Sequence, residues 1–182
     1  MRQDVRRWCV TLVLLAGGCE QSVYGSASLY VYNGTEERAT VTMSGGEEAE
    51  EFLLRPDSGR LFDAEIAGDR TFDIEFGDGE RQAVIATLER ETFNVLNIKG
   101  AGCFARADVS GMYVDGRNPV KVNETYEGEN VISMRSEVHV PPGARLPRKK
   151  PKSPFGFNRL AVVPCEDLED KYAVADFIKE LR

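Results

Sequence analysis

The sequence predicts an all-β fold, an antiparallel β-sandwich-like domain with one helix at its C-terminal end. Between residues 28 and 163, runs of β-branched and aromatic residues recur at short intervals, with Gly, Pro, Asn and Asp between them. No segment with a helical period separates these runs, so the pattern favours a sandwich or barrel over repeated βαβ units. A helical period begins only after Pro164.

The predicted strands follow one another with clear turn signals. Asn33-Gly34 lies between the first two strands, Pro56-Asp57-Ser58-Gly59 between the next two, and Asp78-Gly79 marks the clearest hairpin. In the predicted strand 92–98, the positions of the apolar residues do not determine which side chains face inward. The predicted strands cover residues 28–32, 39–43, 52–55, 60–66, 71–76, 81–88, 92–98, 112–114, 120–126, 131–140 and 155–163.

Two C-terminal segments break the strand pattern. Residues 141–154 are rich in proline and carry five basic residues and no acid, which predicts an extended loop without regular structure. Residues 166–181 predict a helix, because Val174, Phe177, Ile178 and Leu181 share one face. Acidic residues at its start and basic residues at its end complement the helix dipole.

The first 19 residues have the order of an export signal. A head with three arginines precedes an apolar run over residues 10–16, which then gives way to Gly17, Gly18 and Cys19. The run is far shorter than the roughly 20 residues of a membrane-spanning helix. The segment resembles a bacterial lipoprotein signal, whose lipobox precedes an acylated cysteine that becomes the mature N-terminus.

This resemblance implies a domain organisation and a cellular location. Residues 1–18 are a signal peptide, residues 19–27 a lipidated tether and residues 28–182 a single β-rich domain. Cys19 carries the lipid, and the membrane is then a partner through this anchor. Glu20 follows it where aspartate favours inner-membrane retention, which implies the outer membrane, facing either the periplasm or the surface. Ala16 and Gly18 also fit ordinary signal-peptidase cleavage, so an unlipidated exported form is the alternative.

Charge and cysteine content follow from removal of the signal. The mature chain would have 164 residues with 20 basic and 29 acidic side chains, and its net charge of −9 disfavours nucleic acid as a partner. Cys103 and Cys165 are then the only cysteines left besides Cys19, and in an oxidising compartment they predict a disulfide. Two separately buried thiols are the alternative.

The search for catalytic chemistry leads to no site. The single histidine, His139, lies in the predicted strand 131–140, and no Gly-x-Ser-x-Gly elbow accompanies it. Cys103, His139 and Cys165 lack the paired spacing of a zinc site. We therefore predict no catalytic residue, metal or cofactor. Five tyrosines could offer stacking platforms for a sugar, although tyrosine is also an ordinary strand former: Tyr24, Tyr30, Tyr32, Tyr113 and Tyr126.

Two classes of function remain open. The first is an envelope lipoprotein whose non-catalytic β-domain has a binding or structural role, with another envelope protein or a cell-wall polymer as partner. The second is a small exported hydrolase with an unrecognised site. The loop 141–154 is either a solvated linker or a binding surface for anionic headgroups or an acidic protein. Its basic residues are Arg145, Arg148, Lys149, Lys150 and Lys152.

Overall fold

The computed structural model describes residues 28–62, 67–114, 120–135, 138–149 and 156–181. The predicted signal peptide, the Cys19 lipidation site and the tether lie outside these residues, as do Lys150 and Lys152. The described elements are β1 (Ser28–Asn33), β2 (Ala39–Ser44), β3 (Glu50–Leu54), β4 (Ser58–Phe62), β5 (Gly68–Phe76), β6 (Arg81–Leu88), β7 (Phe93–Asn97), β8 (Cys103–Asp108), β9 (Lys121–Glu127), β10 (Val131–Met134), β11 (Asn158–Val163) and α1 (Lys171–Glu180).

The strands form three sheets, which confirms the predicted all-β class. The N-terminal sheet has the order β3-β2-β5-β6, the central sheet β10-β7-β1-β4 and the C-terminal sheet β11-β8-β9. Every pairing is antiparallel except β1 with β7. This parallel pair is possible because all four strands of the N-terminal sheet lie between β1 and β7 in sequence, which provides the long connection that parallel strands need.

Three apolar cores separate four layers: the N-terminal sheet, the central sheet, the C-terminal sheet and α1. The alternation along β1 shows the arrangement, since Leu29 and Val31 belong to the core shared with the N-terminal sheet. Tyr30 and Tyr32 belong to the core shared with Phe104 of the C-terminal sheet. The third core packs the other face of the C-terminal sheet against α1. β1 of the central sheet is therefore buried on both faces.

This layering explains where the strand predictions fail. β8 was not predicted at all, because its buried Cys103–Asp108 sequence, CFARAD, has neither alternation nor β-branched residues. Residues 112–114, predicted as a strand, belong instead to a 3-10 turn at Ser110–Tyr113 and its end. The predicted strand 131–140 ends at Met134, and Val140 forms an isolated parallel bridge with Arg159.

The C-terminal helix is present but shorter than the predicted 166–181. A 3-10 turn occupies Cys165–Asp167, and α1 begins after Asp170, whose carboxylate accepts hydrogen bonds from the backbone N–H groups of Tyr172 (2.8 Å) and Ala173 (3.3 Å). Such a cap satisfies donors that the first helical turn leaves without partners. Val174 and Ile178 are fully buried against the C-terminal sheet. Among the described residues, no helix is long and apolar enough to cross a membrane.

Candidate functional site: a cavity at the edge of the C-terminal sheet

A cavity of about 700 Å³ opens beside β11, the edge strand of the C-terminal sheet. Four parts of the fold surround it: the β1 and β4 side of the central sheet, the segment before β8, the first part of the basic loop, and the end of α1. The polar side chains on its walls come from Tyr30, Tyr32, Asp57, Ser58, Arg145 and Arg159. Its volume lies within the range of small-molecule sites in proteins.

One wall is built from a pair of tyrosines. The rings of Tyr30 and Tyr32 stack with centroids 6.3 Å apart, and Tyr32 also meets Phe104 edge-on at 5.5 Å. Two glycines make room for them: a Cβ at Gly59 would lie 2.3 Å from Tyr30 Cζ, and one at Gly102 would lie 2.4 Å from Tyr32 Cε1. Both tyrosines are buried, so their rings brace the wall instead of offering an open stacking face.

The two tyrosine hydroxyls stay protonated near neutral pH. Burial, followed by the nearby charge of Asp57, raises the pKa of Tyr30 to about 12. Burial also raises the pKa of Tyr32, whose hydroxyl donates a short hydrogen bond to the Asp57 carboxylate. Asp57 lies in the turn between β3 and β4 with a positive φ of 49°, the left-handed conformation that aspartate tolerates better than most residues. This wall therefore presents neutral phenols and one carboxylate that is already bonded.

The lining also contains a buried arginine, Arg159, which is only 4% exposed. Its Nη1 donates a short hydrogen bond to the carbonyl oxygen of Leu181, and its Nη2 donates to the carbonyl oxygen of Ala144 at 3.1 Å. Its Nε is buried and has no hydrogen-bond partner in the part of the chain that the structure describes. No carboxylate of the described residues forms an ion pair with this guanidinium, and burial lowers the pKa of Arg159.

The predicted disulfide is confirmed, and it borders the same cavity. Cys103 and Cys165 are bonded with their Cα atoms 5.3 Å apart. Cys103 begins β8 opposite Val163 of β11, and Cys165 begins the 3-10 turn after β11. The link therefore ties the start of the C-terminal helical segment to the sheet on which α1 packs.

The basic loop is attached to the domain at its beginning. The side chains of Ala144 and Leu146 pack against the third core, and the hydroxyl of Tyr113 donates to the carbonyl oxygen of Pro147 at 2.9 Å. Residues 141–149 contain turns and bends without helix or strand, and the backbone N–H of Ala144 donates to the carbonyl oxygen of Pro141 at 3.2 Å. Of the loop's three described basic residues, Arg145 lines the cavity, whereas Arg148 and Lys149 are exposed and are not part of its lining.

His139 lies elsewhere and does not line the cavity. Its Nδ1 accepts a hydrogen bond from the backbone N–H of Asn158 at 3.2 Å, and its ring lies 5.1 Å from that of Phe157. The part of the chain that the structure describes contains no group of three or more His, Cys, Asp or Glu side chains arranged to hold a metal.

A second polar cluster supports the C-terminal sheet. Arg106 of β8 binds both carboxylate oxygens of Glu124 on β9, at 3.0 Å from Nε and 2.7 Å from Nη2. Tyr126 donates a short hydrogen bond to the same carboxylate. The hydrogen bonds from Arg106 and then from Tyr126 hold the pKa of Glu124 below its ordinary value. The polar groups of this cluster satisfy one another's hydrogen-bonding capacity, which is typical of a structural network.

Sequence reasoning missed the cavity, although one signal was available. Arg159 is the only charged residue in the predicted strand 155–163, where Asn158 is the only other polar side chain. A charge in such a strand often has a specific partner or function. The Tyr30–Gly59 and Tyr32–Gly102 contacts join distant segments, so no local pattern reveals them.

Comparison of the chain with protein-family models, with curated proteins and with solved structures found no match, in agreement with the absence of a recognised domain family in the sequence.

Proposed function

We propose that this protein is a membrane-anchored envelope lipoprotein whose β-domain binds a ligand or a partner without catalysing a reaction. The observation that carries the anchoring proposal is the signal segment, with its basic head, short apolar run and Gly17-Gly18-Cys19 ending. The Cys103–Cys165 disulfide supports an oxidising compartment, since such bonds persist mainly in exported proteins.

The cavity favours binding over hydrolysis. Its described walls contain one serine, Ser58, and no histidine. A hydrolytic triad needs a nucleophile within hydrogen-bond reach of a base. The exported hydrolase is therefore the less supported alternative.

The exposed part of the basic loop supports a second contact with anionic surfaces. Arg148 and Lys149 are exposed beside the anchored start of the loop, and Lys150 and Lys152 follow in sequence. A short tether from Cys19 would keep these charges near the bilayer, where each contributes about 1 kcal/mol before screening. We propose anionic headgroups as the binding partner of this loop, and an acidic envelope protein as the alternative.

The anchoring proposal is tested by changing Cys19→Ser in cells that process bacterial lipoproteins. We expect the wild-type chain in the membrane fraction with a diacylated N-terminal cysteine, and the variant without lipid and released from the membrane. Cys9→Ser is the matched control, because it removes a cysteine from the signal segment but leaves Cys19 in place. An unmodified wild-type N-terminus by mass spectrometry would contradict the proposal.

A further inference from the structure

Arg159 has a charge that no carboxylate among the described residues balances. Two of its nitrogens donate to backbone carbonyls, and these dipoles compensate the charge only in part. Among the described residues, Nε remains buried without a partner, and no carboxylate is paired with the guanidinium. Burying a charge without an opposite charge is unfavourable, so buried cations in proteins are usually paired. An external anion would supply the missing charge.

The cavity beside Arg159 provides the space and a second cation. Arg159 and Arg145 both line it, and Arg145 is exposed, so the pair combines a buried and an accessible guanidinium. Guanidinium groups bind oxyanions through charge-assisted hydrogen bonds. The disulfide on the same wall restricts movement of the neighbouring backbone. Both arginines therefore belong to the lining of one open cavity.

The remaining walls indicate what kind of anion fits. Val162, Pro164, Phe177 and Leu181 are partly exposed apolar residues that line the cavity. The tyrosine wall carries the negative charge of Asp57, which would repel a ligand with several negative charges. A single negative charge on an apolar body therefore matches the walls best.

We infer that this cavity binds an amphiphilic monocarboxylate, with its carboxylate held by Arg159 and Arg145 and its apolar part against the end of α1. The carboxylate belongs either to a free small acid or to the end of a larger chain. The inference rests on the proposed binding role of the β-domain and names the ligand class of that site.

The test measures binding of 4-phenylbutyrate to the full chain in nanodiscs of zwitterionic lipid by isothermal titration calorimetry, with empty nanodiscs as the blank. A ligand of this size should bind with a Kd of about 1 mM or tighter. Its neutral amide, 4-phenylbutyramide, should bind at least about tenfold more weakly, because it lacks the charge. A C-terminally apolar tripeptide, as the acid and as the amide, distinguishes the end of a larger chain from a free small acid.

Two arginines of the basic loop provide the matched variants. Arg145→Ser should weaken binding about fivefold, whereas Arg148→Ser, with the same charge change outside the cavity, should change it less than about twofold. Arg159→Lys keeps the charge but loses the planar group, and should weaken binding about tenfold. If Arg159→Lys fails to fold, the comparison of Arg145→Ser with Arg148→Ser still tests whether the ligand binds in the cavity.

Equal binding of acid and amide, equal effects of the two loop variants, or no saturable binding of either acid would overturn the inference. Membrane anchoring is measured separately through Cys19. The same titration of the Cys19→Ser chain in buffer makes the carboxylate test independent of anchoring, so either result can fail without the other. Vesicle association would respond equally to Arg145→Ser and Arg148→Ser, whereas carboxylate binding would respond more strongly to Arg145→Ser than to Arg148→Ser.

Discussion

The disulfide between Cys103 and Cys165 should account for a large share of the stability of the domain. The two cysteines are separated by 62 residues. In the chain-entropy model, closing a loop of that length destabilises the unfolded chain by about 4 kcal/mol at 25 °C. Domains of ordinary size have unfolding free energies of about 5–15 kcal/mol. Loss of the link would therefore leave the fold marginal.

The measurement is urea unfolding followed by circular dichroism, in a chain that carries Cys9→Ser and Cys19→Ser so that no other thiol is present. Adding Cys103→Ala and Cys165→Ala should lower the unfolding free energy by about 4 kcal/mol. With a urea slope of about 2 kcal/mol/M, the midpoint should fall by about 2 M.

Reduction of the unmutated pair provides the control for packing. Because Cys103 is buried, replacing it with alanine also removes contacts, whereas reduction breaks only the covalent link. Agreement between the reduced protein and the double alanine variant would assign the loss to the link. A midpoint shift below about 0.5 M in both would refute the chain-entropy reasoning, and a lower slope would indicate separate unfolding of α1.

Three further predictions concern the tyrosine wall, the Arg106–Glu124 pair and the basic loop. Gly59→Ala should destabilise the fold by about 1–3 kcal/mol in thermal unfolding, because the new Cβ would overlap the Tyr30 ring. Gly77→Ala, whose Cβ would have its nearest neighbour at 3.9 Å, should have little effect, and equal losses would contradict this explanation. The pKa of Glu124 is lower in the folded protein than in the unfolded chain, so its ionised carboxylate stabilises the fold at pH values above the unfolded-state pKa. This contribution is lost as the pH falls through the folded-state pKa. Between about pH 5 and 3 the wild type should thus lose more stability than Glu124→Gln in urea titrations, and parallel pH profiles would rule out the assigned role. Changing all five basic residues of loop 141–154 to serine in the Cys19→Ser chain should reduce salt-dependent binding to anionic vesicles with little change in melting temperature. Serine at Arg38, Arg55, Arg90, Lys121 and Lys171, exposed basic residues outside the loop, is the charge-matched control, and equal losses in both would show a nonspecific charge effect.

Local sequence patterns determined the class of fold and most strands of the N-terminal sheet. β5 and β6 alternate between buried and exposed residues, because one face of that sheet meets the core and the other meets solvent. Such half-buried strands have a period of two in their sequences. The disulfide could also be predicted, because few cysteines remain after the signal and an exported chain favours their oxidation.

Tertiary packing determined the features that the hydrophobic period of the sequence does not reveal. β1, β7 and β8 lie between layers and are buried almost throughout, so alternation disappears in them and the strand β8 was missed. The helix starts at Lys171 because Asp170 caps it there, after the disulfide-linked 3-10 turn.

The cavity depends on the tertiary structure in the same way. Arg145 lies within the basic loop and Arg159 on the strand after it, whereas Tyr30 lies near the other end of the described chain. Their approach requires the central sheet, the C-terminal sheet and α1 to pack together, an arrangement set by long-range burial of apolar faces. The sequence by itself therefore determined strands, turns, the export signal and the cysteine pair, whereas only the packing of the layers placed a buried, incompletely bonded arginine beside an open cavity.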